Sequence, residues 1–523
     1  MHHMTRHLTL GAMAIAIAIA IAAMTQPASA ARPVAPRATD HVVVMVFDQM
    51  RPDYIDRFGL ANFKRLRASS RNYSEAYVGH LSSQTVVAHI VIPTGLRPGA
   101  LPWMDDVLVD VDGAIGKPGL AYSTGKLTRQ QASQMLQKIP RDQFLPARIQ
   151  DTLGGKVFAV GEKDYAAAFL GGPYASSIVT MKSCAPDGVN VPDYIQSNRR
   201  FTVDCTPDYG TNYPTIYAID GNRYVPGTDP TRLGGDAWTA DVAIEIMNRE
   251  AWSGLFLTFG GIDKIAHMLG EQDDRGLTSV SSEYRLADVL RIADEQLGRV
   301  LAALDSRGLT DRTLVVVTAD HGGQKDDYYL GNNGDQTCCA LENVQSAKPV
   351  PYWLDHLNRI APGKLRTAYA ATSLTLWLSD HSPAVETTLT RGLKDVSGIT
   401  EIYALRHSGN VYRYEQVFSA LASQPPRFRN WAQKHSAELM ATMAGPAAPD
   451  LVGLLADGVG FGRIGDHGGA QELVQRIPML IRVPGEAASR RATPLRLMDL
   501  APEITKILGL KPAPTTEAAR LVK

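Results

Sequence analysis

An excess of charge of either sign is absent from this sequence of 523 residues, since Lys plus Arg and Asp plus Glu each number 53. Proteins that bind nucleic acid through their surface carry a basic excess or a basic patch, so we expect no nucleic-acid partner. Neutrality stays compatible with small anionic ligands, because bound metal ions add local charge that a residue count omits.

Long apolar runs are absent after the first 30 residues. The N-terminus itself combines a weakly basic start at Arg6, an apolar stretch from Leu8 to Met24 and an A-x-A motif that ends at Ala30. This pattern predicts a signal peptide over residues 1–30 and a periplasmic or secreted protein with no stable membrane insertion after cleavage. The alternative is an uncleaved membrane anchor, since the apolar stretch is near the lower length limit for crossing a bilayer.

Cysteine is scarce, with four residues in the whole chain. Cys184 and Cys205 lie in a stretch rich in Gly, Pro, Asn and Asp, where a disulfide would close a short loop. Two unpaired thiols are the alternative. Cys338 and Cys339 are adjacent and lack the second Cys pair that a zinc motif of this type needs.

Strand-like and helix-like segments alternate along the chain. The runs HVVVMVF, KVFAVG, GLFLTFGG, TLVVVTA and PMLIRV are typical of strands buried on both faces. Helical spacing appears over residues 53–67, over 281–308 and in LRLMDLAPEITKILGL near the C-terminus. In the second of these, Ser281 or Ser282 is the expected N-cap and Gly308 the expected end. This order predicts an α/β fold, a three-layer sandwich with a largely parallel central sheet flanked by helices.

The alternation is interrupted between about residues 325 and 460, where helical and β-rich patterns mix. We therefore predict an inserted cap or subdomain over residues 326–460. The sandwich core would then consist of residues 31–325 and 461–515.

Acidic residues and histidines follow several of the apolar runs. They are Asp48, Asp263, His267, Asp320, His321 and, in a GDHGG motif, His467. Sites in parallel sheets gather at the carboxyl ends of the strands, so these residues are expected to lie close together. Each residue taken singly fits a helix N-cap or an ordinary loop histidine. The whole set favours a metal site, since three carboxylates and three imidazoles suit two zinc-like ions.

These motifs resemble the alkaline phosphatase superfamily, most closely its type I phosphodiesterase/nucleotide pyrophosphatase branch. VFDQMRPDYIDRF resembles the opening metal-binding segment, and TVVAHIVIPTGLRPG resembles the segment with the nucleophile. GGIDKIAHMLG resembles the next metal segment, with Ala266 in place of the usual glycine, and VVTADHGG and GDHGG resemble the last two. The resemblance runs from about residue 40 to 510 and implies an alkaline-phosphatase-like sandwich with a phosphohydrolase core.

The resemblance also implies two Zn²⁺ ions and a threonine nucleophile, Thr85. One ion would be held by Asp263, His267 and His467, and the other by Asp48, Asp320, His321 and the Thr85 oxygen. Metal coordination makes the alkoxide of a threonine accessible at neutral pH, so Thr85 would form a phosphothreonine intermediate. The structural alternative for Thr85 is a helix N-cap before VVAHIV, and both roles are compatible.

Two of the three residues at the substrate-binding positions of the family differ from its pattern. Lys163 matches a lysine of a subgroup that hydrolyses phosphate monoesters, but Tyr165 stands where that subgroup has arginine. Asp106 aligns with an asparagine that donates to phosphate, although other alignments place Met104 or Asp105 there. Trp103 either stacks on a substrate or packs within its loop.

We therefore predict an exported zinc-dependent phosphoric-ester hydrolase, an alkaline phosphatase or a phosphodiesterase, that acts on a small phosphorylated substrate. The threonine argues against a sulfatase, because that branch needs a Cys or Ser that is converted to formylglycine. The alternative is a non-catalytic periplasmic protein that binds metal or phosphorylated ligands. Mixed Asp and His ligands also suit manganese or iron, and the sequence does not indicate the oligomeric state.

Overall fold

The computed structural model describes residues 39–182, 185–201, 235–269, 282–325, 328–329, 352–461 and 465–514. The predicted signal peptide, Ser281 and the four cysteines lie outside these ranges, so the predictions made for them remain predictions. Within the ranges, no helix combines the length and the apolar character that crossing a bilayer requires.

A nine-stranded sheet forms the centre of the fold, in the order β20-β2-β19-β9-β1-β8-β5-β6-β7. The strands are β1 (His41–Phe47), β2 (Arg71–Tyr73), β3 (Val107–Asp110), β4 (Leu120–Ser123), β5 (Lys156–Gly161), β6 (Ser177–Lys182), β7 (Ala185–Val189), β8 (Trp252–Phe259), β9 (Thr313–Thr318), β10 (Gln324–Lys325), β11 (Tyr328–Tyr329), β12 (Leu365–Ala370), β13 (Ser373–Leu378), β14 (Ile399–Ser408), β15 (Val411–Ser419), β16 (Leu451–Leu455), β17 (Val459–Gly460), β18 (Gly465–Asp466), β19 (Met479–Arg482) and β20 (Ser489–Arg491). The five central strands run parallel, whereas β19 and β7 are antiparallel to their inner neighbours.

The α-helices pack against this sheet and against a second, smaller one. They are α1 (Tyr54–Arg57), α2 (Ala61–Arg67), α3 (Thr85–Thr94), α4 (Arg129–Leu136), α5 (Leu145–Leu153), α6 (Asp164–Gly171), α7 (Asp193–Gln196), α8 (Gly235–Arg249), α9 (Gly261–Leu269), α10 (Ser282–Ser306), α11 (Tyr352–Ile360), α12 (Pro383–Lys394), α13 (Pro426–Met443), α14 (Glu472–Gln475) and α15 (Leu497–Leu508). The α/β sandwich with a largely parallel sheet is confirmed, as is the C-terminal helix, which is α15.

The register of the central strands brings three chain segments to one edge of the sheet. Val46 of β1 pairs with Thr258 of β8 and with Thr318 of β9. All three strands are fully buried along almost their whole length, as their continuous apolar sequences predict. Because they run parallel and end level with one another, the residues that follow them meet at the same carboxyl edge.

The helix predicted over residues 53–67 is wrong as a single element, because the structure divides it into α1 and α2. Gly59 between them has a φ of +69°, a left-handed conformation that ends α1 and that glycine adopts without a Cβ clash. The periodicity of the apolar residues continues across the break, which is why the sequence pattern did not reveal it. The longer predicted helix is confirmed as α10, whose apolar face is buried, and Gly308 follows it with a φ of +65°.

A long-range hydrogen-bond acceptor compensates for a missing cap on α2. Its N-cap residue, Leu60, has no side-chain acceptor, and Asp294 of α10 accepts instead from the backbone N–H groups of Asn62 and Phe63, each at 2.9 Å. Helix N-terminal amides need such acceptors, so this carboxylate joins two helices that are distant in sequence.

We expect Asp294→Ala to lower the free energy of unfolding by about 2 kcal/mol, because two amides in the first turn of α2 lose a charged acceptor. Denaturant unfolding followed by circular dichroism measures the change. The control is Asp288→Ala on the same helix, where an exposed carboxylate pairs with Arg291, and it should cost less than about 0.5 kcal/mol. Equal losses in the two variants would contradict the capping role.

The second sheet is antiparallel, with five strands in the order β12-β13-β16-β14-β15. It encloses its own apolar cluster with α11 and α12, which includes Trp353, Leu376 and Ile402. All of these elements lie within residues 326–460, the segment predicted to be inserted. The domain boundaries themselves remain a prediction.

Candidate metal centre

The edge formed by β1, β8 and β9 carries most of the predicted metal ligands. Asp48 directly follows β1, and Asp320 and His321 follow β9 after one alanine. Asp263 lies in the first turn of α9, just after β8, with His267 one turn further on. Residues up to 273 positions apart are thereby brought together, as the strand-end pattern predicted.

His467 reaches the same place by a different route. It follows β18, whose Asp466 pairs with Gln324 of β10, three residues after His321. This short antiparallel pairing stacks the rings of His467 and His321, with centroids 3.6 Å apart. The local pairing, rather than the main sheet, therefore positions the last predicted ligand.

Asp48, Asp320 and His321 form the first group of ligand atoms. All three side chains are fully buried. His321 Nε2 lies 3.4 Å from Asp48 Oδ1 and 3.4 Å from Asp320 Oδ2. Neither of these two oxygens accepts a hydrogen bond from the described part of the chain. Buried carboxylate oxygens without a partner are costly, and a bound cation would remove that cost.

Asp263, His267 and His467 form the second group. Asp263 Oδ1 lies 2.9 Å from His267 Nε2 and 3.5 Å from His467 Nε2, and the two Nε2 atoms are 3.1 Å apart. The ligand atoms of Asp263 and His467 also lie within 4.8 Å of His321, and those of His267 and His467 within 4.8 Å of Asp466. The two groups are therefore adjacent, which suits a binuclear centre. The assignment of each side chain to one ion remains a prediction.

The three imidazoles are held so that Nε2 faces the centre. Nδ1 of His321 donates to Gly322 O at 2.9 Å, Nδ1 of His267 to Gly465 O at 2.7 Å, and Nδ1 of His467 to Ser83 O at 2.9 Å. A carbonyl can only accept, so Nδ1 carries the hydrogen and Nε2 keeps its lone pair when the ring is neutral. This orientation by backbone carbonyls is usual for metal-binding histidines. The donor set fits two divalent cations.

Buried negative charge accumulates at the centre. Burial and the neighbouring carboxylates of Asp263 and Asp320 raise the pKa of Asp48 to about 7. Lys163 Nζ lies 2.5 Å from both Asp48 Oδ2 and Asp263 Oδ2. Burial opposes the charge on Lys163, but these two carboxylates outweigh it and hold its pKa well above the ordinary value. One ammonium does not balance three carboxylates, so the centre favours additional cations.

Thr85 is the first residue of α3, not its N-cap. Gln84 occupies the N-cap position in an extended conformation and makes no side-chain cap, so the capping alternative for Thr85 is wrong. Thr85 is 7% exposed, and its Oγ1 lies 3.4 Å from His321 Nε2. Its hydroxyl is therefore beside the first ligand group, at a helix N-terminus whose free amides attract anions.

The predicted substrate-binding residues lie around this hydroxyl and the metal ligands. Lys163 is the N-cap residue of α6 and Tyr165 is the second residue of that helix, where burial raises the tyrosine pKa. Asp106 Oδ2 accepts a hydrogen bond from Tyr369 Oη at 3.0 Å, and Tyr369 in turn accepts from Gln84 Nε2 at 3.2 Å. The roles of these residues remain predictions.

Trp103 does not contribute to a substrate surface. Its side chain is 1% exposed, its Nε1 donates to Val86 O at 3.3 Å, and its ring packs against Phe169. The packing alternative for Trp103 is thus the correct one. Asp105 is also engaged internally, since its carboxylate accepts from Ser82 Oγ and Thr375 Oγ1.

Sequence reasoning missed several residues that support the site. His89, one turn after Thr85 in α3, donates from Nδ1 to Thr85 O and accepts at Nε2 from Thr258 Oγ1, both at 2.9 Å. Burial lowers the pKa of His89 to about 4, so it is neutral and ties α3 to β8. The four-residue spacing between Thr85 and His89 could have revealed this contact from the sequence, because it places both residues on one face of a helix. Tyr369 belongs to the second sheet and had no sequence signal.

Comparison with known proteins identifies the family. The model of the family "Type I phosphodiesterase / nucleotide pyrophosphatase" matches residues 42–117 and 126–442, which is more than half of the chain. The chain belongs to this family. The family is one of metal-dependent hydrolases of phosphoric esters within the alkaline phosphatase superfamily, as the sequence motifs predicted. His467 lies beyond the matched residues, and its place in the centre is defined by the geometry described above.

Individual relatives are distant. Alkaline phosphatase PhoK from Sphingomonas sp. is 25% identical over 338 residues, which cover 56% of this chain and 57% of PhoK. The structure of wild-type alkaline phosphatase PafA superimposes with a TM-score of 0.59 at 15% identity, over 91% of this chain and 97% of PafA. The structure of murine ectonucleotide pyrophosphatase/phosphodiesterase 5 superimposes with a TM-score of 0.53 at 12% identity, over 92% of this chain and 98% of the murine protein. At these identities the two structural likenesses establish the fold alone.

Proposed function

We propose that this member of the family is an exported, zinc-dependent phosphoric-ester hydrolase that acts through a phosphothreonine at Thr85. The observation that carries the proposal is the convergence of two Asp/His groups, the first of them fully buried, with inward-facing Nε2 atoms beside the Thr85 hydroxyl. The export part rests on the N-terminal pattern of residues 1–30. A periplasmic or extracellular location would give the enzyme access to small phosphorylated substrates outside the cytoplasm.

The chain's own groups divide the work of an in-line phosphoryl transfer. Thr85 Oγ loses its proton and forms a bond to phosphorus, while the bond from phosphorus to the leaving oxygen breaks and that oxygen takes up a proton from solvent to leave as the alcohol. In the second step a water oxygen attacks phosphorus and loses one proton, the Thr85 Oγ–P bond breaks, Thr85 Oγ is protonated again, and phosphate or a phosphate monoester is released. Bound zinc would supply Lewis-acid stabilisation of the attacking and leaving oxygens. The α3 N-terminus and the Lys163 ammonium favour the anionic phosphoryl group during both steps.

The deciding experiment measures bound metal and catalysis on the same preparation of the mature protein. Zinc content is determined by elemental analysis, and hydrolysis is followed with an aryl phosphate and an aryl phosphodiester. We expect two equivalents of zinc per chain and turnover of at least one ester. A zinc-loaded protein inert toward every phosphate ester tested would favour the alternative, a non-catalytic binder of metal or phosphorylated ligands.

The preference between monoesters and diesters depends on charge near the phosphoryl group. A monoester carries one more negative charge than a diester, so the Lys163 ammonium stabilises it more. We expect Lys163→Ala to lower the ratio of kcat/KM for the monoester to that for the diester by about 10-fold. Steady-state kinetics with the two aryl substrates measures the ratio.

Asp106→Asn is the opposite charge change and serves as the matched variant. Removing a carboxylate near the site favours the more anionic substrate, so we expect the monoester-to-diester ratio to rise by about 10-fold. The Asn side chain keeps an oxygen that can accept from Tyr369 Oη, which preserves the contact. A ratio unchanged in both variants would remove Lys163 and Asp106 from substrate discrimination.

A further inference from the structure

Ser83 connects the segment that carries Thr85 to the loop that carries His467. The Ser83 side chain is fully buried, and its Oγ accepts from the N–H groups of Gly468 at 3.2 Å and Gly469 at 3.0 Å. The same hydroxyl donates to Gly469 O at 3.2 Å. Its backbone oxygen accepts from His467 Nδ1 at 2.9 Å. One residue thus bonds to three successive residues of the GDHGG motif.

These hydrogen bonds determine both the backbone conformation of the loop at His467 and the orientation of its imidazole ring. Gly468 has a φ of +93°, a conformation that L side chains rarely adopt. The Ser83 hydroxyl satisfies the two amides exposed by this turn, so it stabilises the local backbone path. The Ser83 carbonyl orients the imidazole so that Nε2 faces Asp263. Thr85 lies only two residues further along the chain from Ser83.

A second residue joins the same two segments independently. Gln475 Nε2 donates to Gly469 O at 2.8 Å and to His80 O at 3.0 Å, and its Oε1 accepts from Gly79 N at 3.1 Å. The segment from Gly79 to Thr85 and the loop from His467 to Gly469 are therefore held together at two points. The hydroxyl of the adjacent Ser82 takes no part, because it donates to Asp105 Oδ1.

We propose that Ser83 is a positioning residue that couples the two ligand groups: it orients His467 in one group and holds the Thr85 segment beside the other. Hydrogen bonds that orient a metal-binding histidine typically change metal affinity 10- to 100-fold. Binding of a metal ion by Asp263, His267 and His467 therefore also stabilises the position of the Thr85 hydroxyl. The catalytic half of this statement rests on the proposed function, whereas the half on metal affinity does not.

The test is a zinc titration of metal-free protein against a competing chelator. We expect Ser83→Ala to weaken the binding of one of the two zinc equivalents by about 10- to 100-fold and to leave the other nearly unchanged. Ser82→Ala is the matched control, since it removes the neighbouring buried hydroxyl without touching the His467 loop, and both affinities should stay within about 3-fold of wild type. Ser83→Cys keeps the volume with a weaker acceptor and should shift affinity in the same direction, with folding checked by circular dichroism.

Kinetics provide the second readout. With zinc in excess, Ser83→Ala should lower kcat more than it changes KM, because the displaced group is the nucleophile segment rather than a substrate contact. Equal zinc affinities in Ser83→Ala, Ser83→Cys and Ser82→Ala would overturn the coupling role of Ser83. If the affinity falls as expected while the wild type hydrolyses no ester, the proposed function fails and the orientation of His467 by Ser83 stands.

Discussion

Thr85→Ala will reduce the hydrolysis of any ester turned over by the wild type by at least about 1,000-fold in kcat. The variant loses the hydroxyl oxygen that would attack phosphorus from the N-terminus of α3, while both ligand groups keep their Asp and His side chains. Zinc content should therefore remain near two equivalents. Under single-turnover conditions the wild type should form an acid-stable phosphoprotein that the variant does not form.

The matched control is Thr94→Ala, at the other end of the same helix. The Thr94 hydroxyl is buried and donates to Ile90 O, so its loss should cost about 1 kcal/mol of stability and leave kcat unchanged. Thr85→Ser keeps the nucleophilic oxygen and should retain more activity than Thr85→Ala. Full activity in Thr85→Ala, or a phosphoprotein that persists in it, would show that the nucleophile is a different group.

Asp320→Asn will remove one of the two zinc equivalents and lower kcat by at least about 1,000-fold. Asp320 Oδ1 accepts from Gln49 N and His321 N, a role that the Asn oxygen can retain. Its Oδ2 has no hydrogen-bond donor within the described residues and faces His321 Nε2. Replacing that oxygen by an NH₂ group removes both the charge and the lone pair that a cation requires.

The effect of Asp320→Asn on the free energy of unfolding should differ in sign between the zinc-free and the zinc-bound protein. Burial and then repulsion from Asp263 and Asp320 raise the pKa of Asp48. Without zinc, removing one of these three crowded carboxylates relieves repulsion, so Asp320→Asn should unfold no earlier than the wild type. With zinc, the wild type gains stability from binding that the variant largely lacks. Asp294→Ala is the control, because it also removes a buried carboxylate but should keep both zinc equivalents. An Asp320→Asn protein that still binds two zinc ions would contradict the ligand assignment.

Local patterns were sufficient to predict the central strands and the Asp and His residues that gather at their ends. The apolar runs before Asp48 and Asp320 form neighbouring parallel strands, because continuous burial on both faces is a property of the run itself. The four-residue spacing of Asp263 and His267 places both on one helical face in the structure. The helix over 53–67 was predicted incorrectly, since the apolar periodicity outweighed the signal of one glycine.

Contacts between distant segments had no local signal. Lys163 follows β5 as its sequence context indicated, yet its position between Asp48 and Asp263 depends on three strands that end together. The hydrogen bond from Tyr369 to Asp106 arises because the second sheet packs against β3, the strand that directly follows Asp106. The capping of α2 had no local signal either, since its acceptor, Asp294, lies more than 200 residues away in the sequence.

The sequence by itself determined the candidate ligands at the strand ends, because residue type and local periodicity encode them, and the resemblance of its motifs to the family implied Thr85 as the candidate nucleophile. Only the tertiary structure decided how these residues are oriented. The inward-facing Nε2 atoms of His267 and His467, the ammonium between two carboxylates and the joining of His467 to the Thr85 segment through Ser83 all depend on hydrogen bonds between segments far apart in the chain. Such bonds follow from the packing of two sheets and their loops, which no local pattern of residues specifies.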